Sequence, residues 1–346
     1  MHPSLRCNLS CKHCYSNSGP SAGLTLDVAL ACEAVSDAAS MGYRVVSVSG
    51  GEPMLYDGLE DLLSHAKSLG MLTTVTTNGY LLDAKRLDRL SGRLDLLALS
   101  LDGPPALHNA IRGSTRAFQR MARGLVNVRS IGIKFGFIHT LTRHTWQHLL
   151  WIAAFAARNK ASLLQIHPLE LSGRAADKMC TDAIDFGVSG RAYLIAMALI
   201  DKYGESMHIQ IDLLHRNSAT SNPELVYASN LDASSDSIAP ATLMKVIVLQ
   251  ADGTVVPVSY GFNRRFEICN VNKRRLADAW PSYLTHGYRD FVHICREEYN
   301  AICAGEVPLL FNWHERIVAR SNEIGTYIPV ESVILPASRH SVGRPR

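Results

Sequence analysis

Short apolar runs and amphipathic stretches alternate along the first half of this chain. The runs fall at 44–48, Thr73–Thr77, Leu96–Leu101, Ile131–Leu141 and Ser162–Leu169. Rich in β-branched residues and bounded by turn signals, they read as buried strands. Between them Thr25–Met41, Leu59–Leu69, Ala84–Leu90, Phe118–Arg129 and Trp146–Arg158 read as helices. Thr25 is the expected N-cap of the first, and Gly42, Gly70 and Ser91-Gly92 are the expected stops. Strands alternating with helices imply βαβ units, a parallel sheet and right-handed crossovers, hence an α/β fold.

After Arg174 the alternation ends. Ala192–Tyr203 reads as a helix, His208–Ile211 as a short strand and 216–240 as a loop. Leu243–Gln250 and Thr254–Ser259 flank Ala251-Asp252-Gly253, a hairpin signal. Phe266–Val271 and a helical stretch, Arg275–Tyr283, follow. The aromatic-rich segment from Pro308 to Val318 is expected to pack as a C-terminal helix on the first half. The expected organisation is a barrel at 1–178, a helical connector and loop at 179–240, a small α+β extension at 241–332 and a disordered tail at 333–346.

Composition narrows this picture slightly. A 346-residue chain that is 47% hydrophobic can bury a substantial core, and its formal charge of +4 gives no basis for nucleic-acid binding. No run of about 18 apolar residues suggests a membrane span, and no secretory signal is evident. Only six residues precede Cys7, barely enough for a first strand, so that strand is short or the true start lies upstream.

The chemistry is concentrated in Cys7-Asn8-Leu9-Ser10-Cys11-Lys12-His13-Cys14-Tyr15. Three thiolates this close can share one cubane iron–sulfur cluster, each holding one iron and leaving the fourth open. Open positions mark catalytic rather than structural metal sites. The competing reading is a zinc knot with His13 as fourth ligand, although such knots usually pair two half-sites at longer separation. A cluster site argues for a reducing, cytoplasmic setting. Cys32 and Cys180 read as buried small hydrophobes.

This triplet resembles the signature of the radical SAM superfamily. The resemblance implies a partial (β/α)6 barrel and a 4Fe–4S cluster on Cys7, Cys11 and Cys14. It also implies S-adenosylmethionine (SAM) chelated by the open iron and cleaved reductively to a 5′-deoxyadenosyl radical. A flavodoxin- or ferredoxin-type protein would be the reductant. The Gly50-Gly51-Glu52-Pro53 segment is similar to the family's SAM amino-group site. Thr77, Asn78, Ser100, Asp102 and Arg112 fall where the family places further SAM contacts. Among the scattered histidines His167 is the best candidate to shape a substrate pocket, against the stronger competing reading of a satisfied structural His.

The hairpin resembles the SPASM or twitch extensions of peptide-modifying members, on Asp252-Gly253, Pro257, Asn270 and Trp280. The Cys positions differ: Val258 and Ser259 follow Pro257, and Cys269 stands where Gly is usual. Cys269, Cys295 and Cys303 are too few for two auxiliary clusters, so the expectation is a degenerate extension without metal. That extension implies a peptide or protein substrate. Cofactor or small-molecule biosynthesis is the nearest rival, and a non-catalytic metal-binding scaffold is the alternative of another class.

Overall fold

The computed structural model describes residues 1–229 and 238–323, so the tail at 333–346 lies outside the described residues. One sheet runs in chain order through β1 (Val45–Val48), β2 (Leu72–Thr77), β3 (Leu96–Ser100), β4 (Phe135–Leu141), β5 (Leu163–Pro168) and β6 (His208–Ile211). Every neighbouring pair is parallel; Val45 lies opposite Leu72, Leu97 opposite Phe135, and Leu163 opposite His208. With its helices this is the expected partial barrel.

The six strands are not the six expected. Residues before Cys7 form no strand of the sheet. Ser4 and Arg6 make single bridges to Thr25 and Gly19, and Met1 lies along the edge of β1, accepting from Ser49 N at 2.8 Å. Six residues that must also feed the cysteine loop are too few for a full strand. His208–Ile211 supplies the sixth instead, so the sheet extends past residue 178 into the stretch read as connector.

Eight helices accompany this sheet: α1 (Val28–Ser40), α2 (Leu59–Ser68), α3 (Ala84–Leu90), α4 (Pro105–Arg112), α5 (Ala117–Ile131), α6 (Leu149–Arg158), α7 (Arg174–Lys178) and α8 (Phe186–Tyr203). The cap of α1 is Asp27, whose carboxylate accepts from Ala29 N at 2.8 Å. Thr25 instead bonds Ser4 through its hydroxyl at 2.9 Å. Helix α4 lies where no element was expected; Pro105 in its first turn and a left-handed Gly113 after it are its punctuation.

Side chains alternate along each strand. Val48, Val75, Leu99, Phe137, Leu164 and Ile166 are fully buried against the helices. Ser49, Thr76, Thr140, Gln165 and His167 line the interior. The register sorts the two strand histidines, pairing Thr140 with His167 on the inner face and His139 with Ile166 on the helix face.

Beyond the sheet come β7 (Leu214–His215), α9 (Arg216–Ser221) and α10 (Pro240–Leu243), so the stretch read as a loop opens with a short helix and a second follows at its end. Strands β8 (Ile247–Leu249) and β9 (Thr254–Pro257) form the expected hairpin, and β10 (Cys269–Asn270) pairs with β9. Next come α11 (Leu276–Thr285), α12 (Gly287–Ala304), β11 (Leu310–Phe311), which pairs with β7, and α13 (Trp313–Glu323). Buried Asp37 of α1 ties the extension down, accepting from Arg275 Nη2 at 2.5 Å and Ala277 N at 3.1 Å. One apolar core runs through both parts and includes Cys269 and Cys295, whereas Cys180 and Cys303 are exposed and Cys32 is half-buried. Cys180 therefore corrects its reading as a buried hydrophobe.

Candidate active site

The C-terminal ends of the strands open on a cavity of about 390 Å³. Parallel barrels carry their chemistry at this end, where strand-end loops converge. Cys7, Cys11 and Cys14 line it together with Gly50, Gly51, Thr77, Asn78, Ser100 and Arg112. Glu52, Pro53 and Asp102 do not; they lie beneath the lining. The cysteine loop thus meets residues 36 to 105 positions further along the chain at one opening.

The cysteine loop is clasped from two sides. Arg174 donates from Nε to Cys11 O at 2.8 Å and from Nη2 to Ser18 O at 2.7 Å, and its backbone N donates to Cys14 O at 2.8 Å. Gly173 sits at φ +53, and a Cβ there would stand 2.3 Å from Tyr15 O. On the opposite side Lys12 N donates to Ile111 O of α4 at 2.9 Å.

Cys7 and Cys11 are buried and Cys14 is half-buried. Burial pushes the Cys7 thiol up to about 12, and it raises Cys11 against the pull of Arg112. Such thiols stay neutral until a metal ion displaces the proton. Asn78 Nδ2 lies 3.8 Å from Cys7 Sγ and Arg112 Nη1 lies 3.8 Å from Cys11 Sγ, so donors face two of the sulfurs. Among the described residues no three His, Cys, Asp or Glu side chains converge on one ion-sized point. His13, the fourth ligand of the zinc reading, turns Nε2 to Asp102 at 3.3 Å.

The Gly-Gly-Glu-Pro turn places Gly50 and Gly51 in the cavity lining and packs them against the N-terminal segment. A Cβ on Gly51 would stand 2.2 Å from Arg6 O, and Gly50 is at φ +108 with Ser4 O 2.7 Å from its would-be Cβ. The pair admits the chain's own segment leading into Cys7. Glu52 is buried, accepting from Thr77 Oγ1 at 2.7 Å, Asn78 N at 2.9 Å and Met54 N at 3.1 Å. Burial raises its pKa against those bonds. It therefore joins the ends of β1 and β2 from below.

Asp102, fully buried, is the second hub. Arg112 grips it through Nε at 2.6 Å and Nη2 at 3.3 Å, and His108 Nδ1 lies 3.7 Å away. Burial works to raise the Asp102 pKa, but Arg112 and His13 hold it well below the usual range. Arg112 holds Asp102 through Nε and Nη2 while also lining the cavity, with Nη1 toward Cys11.

The far wall was only partly foreseen. His167 bonds Asp212 through Nδ1 at 2.8 Å and Glu170 through Nε2 at 3.1 Å. Burial opposes its charge, yet the two carboxylates raise its pKa to about 10. From the extension, Ser259 and Tyr260 reach the cavity after Val258, whose φ of +58 is strained for a β-branched residue. Tyr260 stacks on His2 at 4.8 Å, and His2 accepts or donates at 3.3 Å with Tyr15 Oη. Asp212, Tyr260 and His2 had no signal in the sequence. Arg174 stood in a visible Gly-Arg turn without a role.

The fold and site define a parallel α/β partial barrel with three thiols at its mouth. Residues 1–156 match the Radical SAM superfamily model. The chain is 31% identical over 194 residues to the Fe-coproporphyrin III synthase of Methanosarcina barkeri, covering 54% of this chain and 47% of that one. It is 30% identical over 213 residues to the pre-heme d1 synthase of Dinoroseobacter shibae, covering 60% and 52%. It therefore spans about half the length of these curated relatives. Among solved structures, native anSMEcpe with bound AdoMet is 17% identical with a TM-score of 0.63, covering 93% of this chain and 95% of that one. Streptococcus suis SuiB bound to precursor peptide SuiA gives 18% and 0.64, covering 84% and 65%. The fold likeness to anSMEcpe thus takes in the C-terminal extension. Among the described residues no helix is long and apolar enough to cross a membrane.

Proposed function

We propose that this protein is a radical SAM enzyme whose cluster sits on Cys7, Cys11 and Cys14. The observation that carries this is the opening of all three thiols, with Gly50, Gly51, Asn78, Ser100 and Arg112, on one cavity. At about 390 Å³ it falls within the size range of small-molecule sites. When bound, the cluster supplies the electron that cleaves the SAM sulfonium. The chain's own part is to hold the cluster, orient SAM and keep water from the reacting atoms. Asn78 and Arg112 would donate toward the Cys7 and Cys11 sulfurs that hold it. Glu52 and Asp102 act from beneath, fixing the β1, β2 and β3 ends that carry the lining.

The substrate in this reading is a peptide or protein, and a flavodoxin- or ferredoxin-type protein supplies electrons. The extension supports it, since the fold likeness to anSMEcpe and to SuiB, a protein solved with its precursor peptide, includes that region. The extension itself would hold no auxiliary cluster, in keeping with the burial of Cys269 and Cys295 in the apolar core. A second reading, a tetrapyrrole or other small-molecule substrate, is favoured by the names of the curated relatives.

The test is anaerobic reconstitution with iron and sulfide, followed by SAM and dithionite, with 5′-deoxyadenosine read by mass spectrometry. Wild type should form it, and Cys14→Ala should reduce it to background and lose iron. Tightly held zinc with no cluster would overturn the proposal.

A further inference from the structure

Cations crowd one flank of the cysteine loop. None of the chain's 31 Asp and Glu residues falls within 1–26 or 103–169, while the second stretch alone holds nine Lys and Arg. The two stretches meet in the fold. Lys12 N donates to Ile111 O of α4 at 2.9 Å, and a Cβ on Gly113 would stand 3.2 Å from Ser10 O. Arg116 then opens α5, and Arg120 and Arg123 follow it on the exposed side of that helix. Arg120 lies over the Tyr80 ring at 5.4 Å, and Tyr80 packs against Cys7, Leu9 and Cys11. The arginine stripe is therefore one side chain away from the thiols.

Nothing within the fold rewards this stripe. Arg116 and Arg120 are four residues apart and Arg120 and Arg123 three, so like charges face one another along α5. They also begin at the positive end of the helix, where the macrodipole favours carboxylates, and the first turn holds none. Among the described residues Lys12, Arg116, Arg120 and Arg123 have no ion-pair partner. Asp83, the carboxylate in the hollow between α3 and α5, is already paired with Arg86. Val126, 65% exposed, continues the same face of α5 and gives a partner apolar surface to cover. An unpaired, self-repelling set of cations complements an acidic protein surface.

Each SAM cleaved under the radical SAM reading removes one electron, which has to be replaced from outside. Cys7 and Cys11 are buried, and their cavity side is where SAM and substrate bind in that reading. The outer edge of the loop, at Ser10 and Lys12, is exposed beside the stripe. The stripe consists of guanidiniums, which exchange no proton near neutral pH, so it suits a donor that yields an electron alone. We propose that Lys12, Arg116, Arg120 and Arg123 dock an acidic ferredoxin-type protein. The ferredoxin is oxidised by one electron and the three-thiol site is reduced by one across the Tyr80 flank; no bond or proton moves. The proposal rests on the radical SAM reading for the fate of that electron, whereas docking is separable from it.

The test is microscale thermophoresis of the full chain against an acidic plant-type ferredoxin over a salt series. Affinity should fall about tenfold or more from low to high salt. Arg116→Glu and Arg123→Glu should each weaken docking about fivefold at low salt. Stopped-flow reduction by the reduced ferredoxin should slow in parallel, while deoxyadenosine formed with dithionite stays unchanged. Arg158→Glu, at the C-terminal end of α6 and so at the opposite end of the barrel, should dock as wild type. The salt series on the unaltered protein stands even if a variant folds poorly. Absent or salt-independent docking, stripe variants that bind as wild type, or an equal loss in Arg158→Glu would overturn the proposal. So would a labelled single-stranded DNA that binds more tightly than the ferredoxin and displaces it. Stripe-dependent docking with no deoxyadenosine under dithionite would sink the radical SAM reading alone. Deoxyadenosine without stripe-dependent docking would sink this inference alone.

Discussion

A carboxylate with no exposure is tolerable only when paired and hydrogen-bonded, and Asp102 is gripped by the Arg112 guanidinium with His13 Nε2 3.3 Å away. Removing one partner of a buried pair leaves the other charge uncompensated. Asp102→Asn should therefore cost about 3 kcal/mol in chemical denaturation, and the freed His13 should reduce the iron retained. A loss below about 1 kcal/mol would mean that solvent reaches Arg112. His167 gives a prediction in pH. Its folded pKa of about 10 exceeds the usual 6.5, so the folded state holds a proton that the unfolded chain has lost between those values. Stability from this group is full below pH 6.5 and fades as pH rises toward 10. A denaturation series over that window should show a decline that His167→Gln flattens; an unchanged slope would contradict the assigned pairing. The residues legible in the sequence were those sharing a short contiguous segment with a chemical reason, such as Cys7, Cys11 and Cys14. Asp212 was not, because its partner His167 lies 45 positions away and nothing local marks the meeting.

At the scale of elements, the strand-and-helix alternation was readable because each buried strand is a short apolar run closed by a turn. Helices α4 and α12 were not. In α12 the buried stripe of Tyr288, Phe291, Ile294, Cys295 and Ile302 is interleaved with charges that mask its period. The first strand was misplaced because the N-terminal residues pair along β1 by isolated bonds that no pattern announces. The glycine turn after β1 carries the sharpest element-scale prediction. Gly51→Ala would drive a Cβ into Arg6 O, so the segment entering Cys7 must shift. Iron and sulfide content after reconstitution should fall severalfold while the far-ultraviolet spectrum keeps its helical shape. Normal cluster content would show that the N-terminal segment can yield.

At the scale of the whole molecule, the extension is fastened to the barrel through few polar points and a shared core. Asp37 supplies one fastening to Arg275 and Ala277 N, and Tyr43 Oη donates another to Met244 O at 2.7 Å. Asp37→Ala should raise amide hydrogen exchange in α11 and in the hairpin of β8 and β9, leaving the strands of the barrel protected. Exchange rising equally throughout would mean that the two parts unfold as one unit. Because Ser259 and Tyr260 reach the cavity from that hairpin, loosening it alters the substrate wall without touching the thiols.

The double clasp on the cysteine loop has a further meaning for maturation. With Arg174 on one flank and α4 on the other, the loop takes its shape when the barrel folds. Loading a cluster then resembles casting into a finished mould. Delivery should be limited by donor encounter and thiol deprotonation, giving rates that rise with pH and little change in backbone signal.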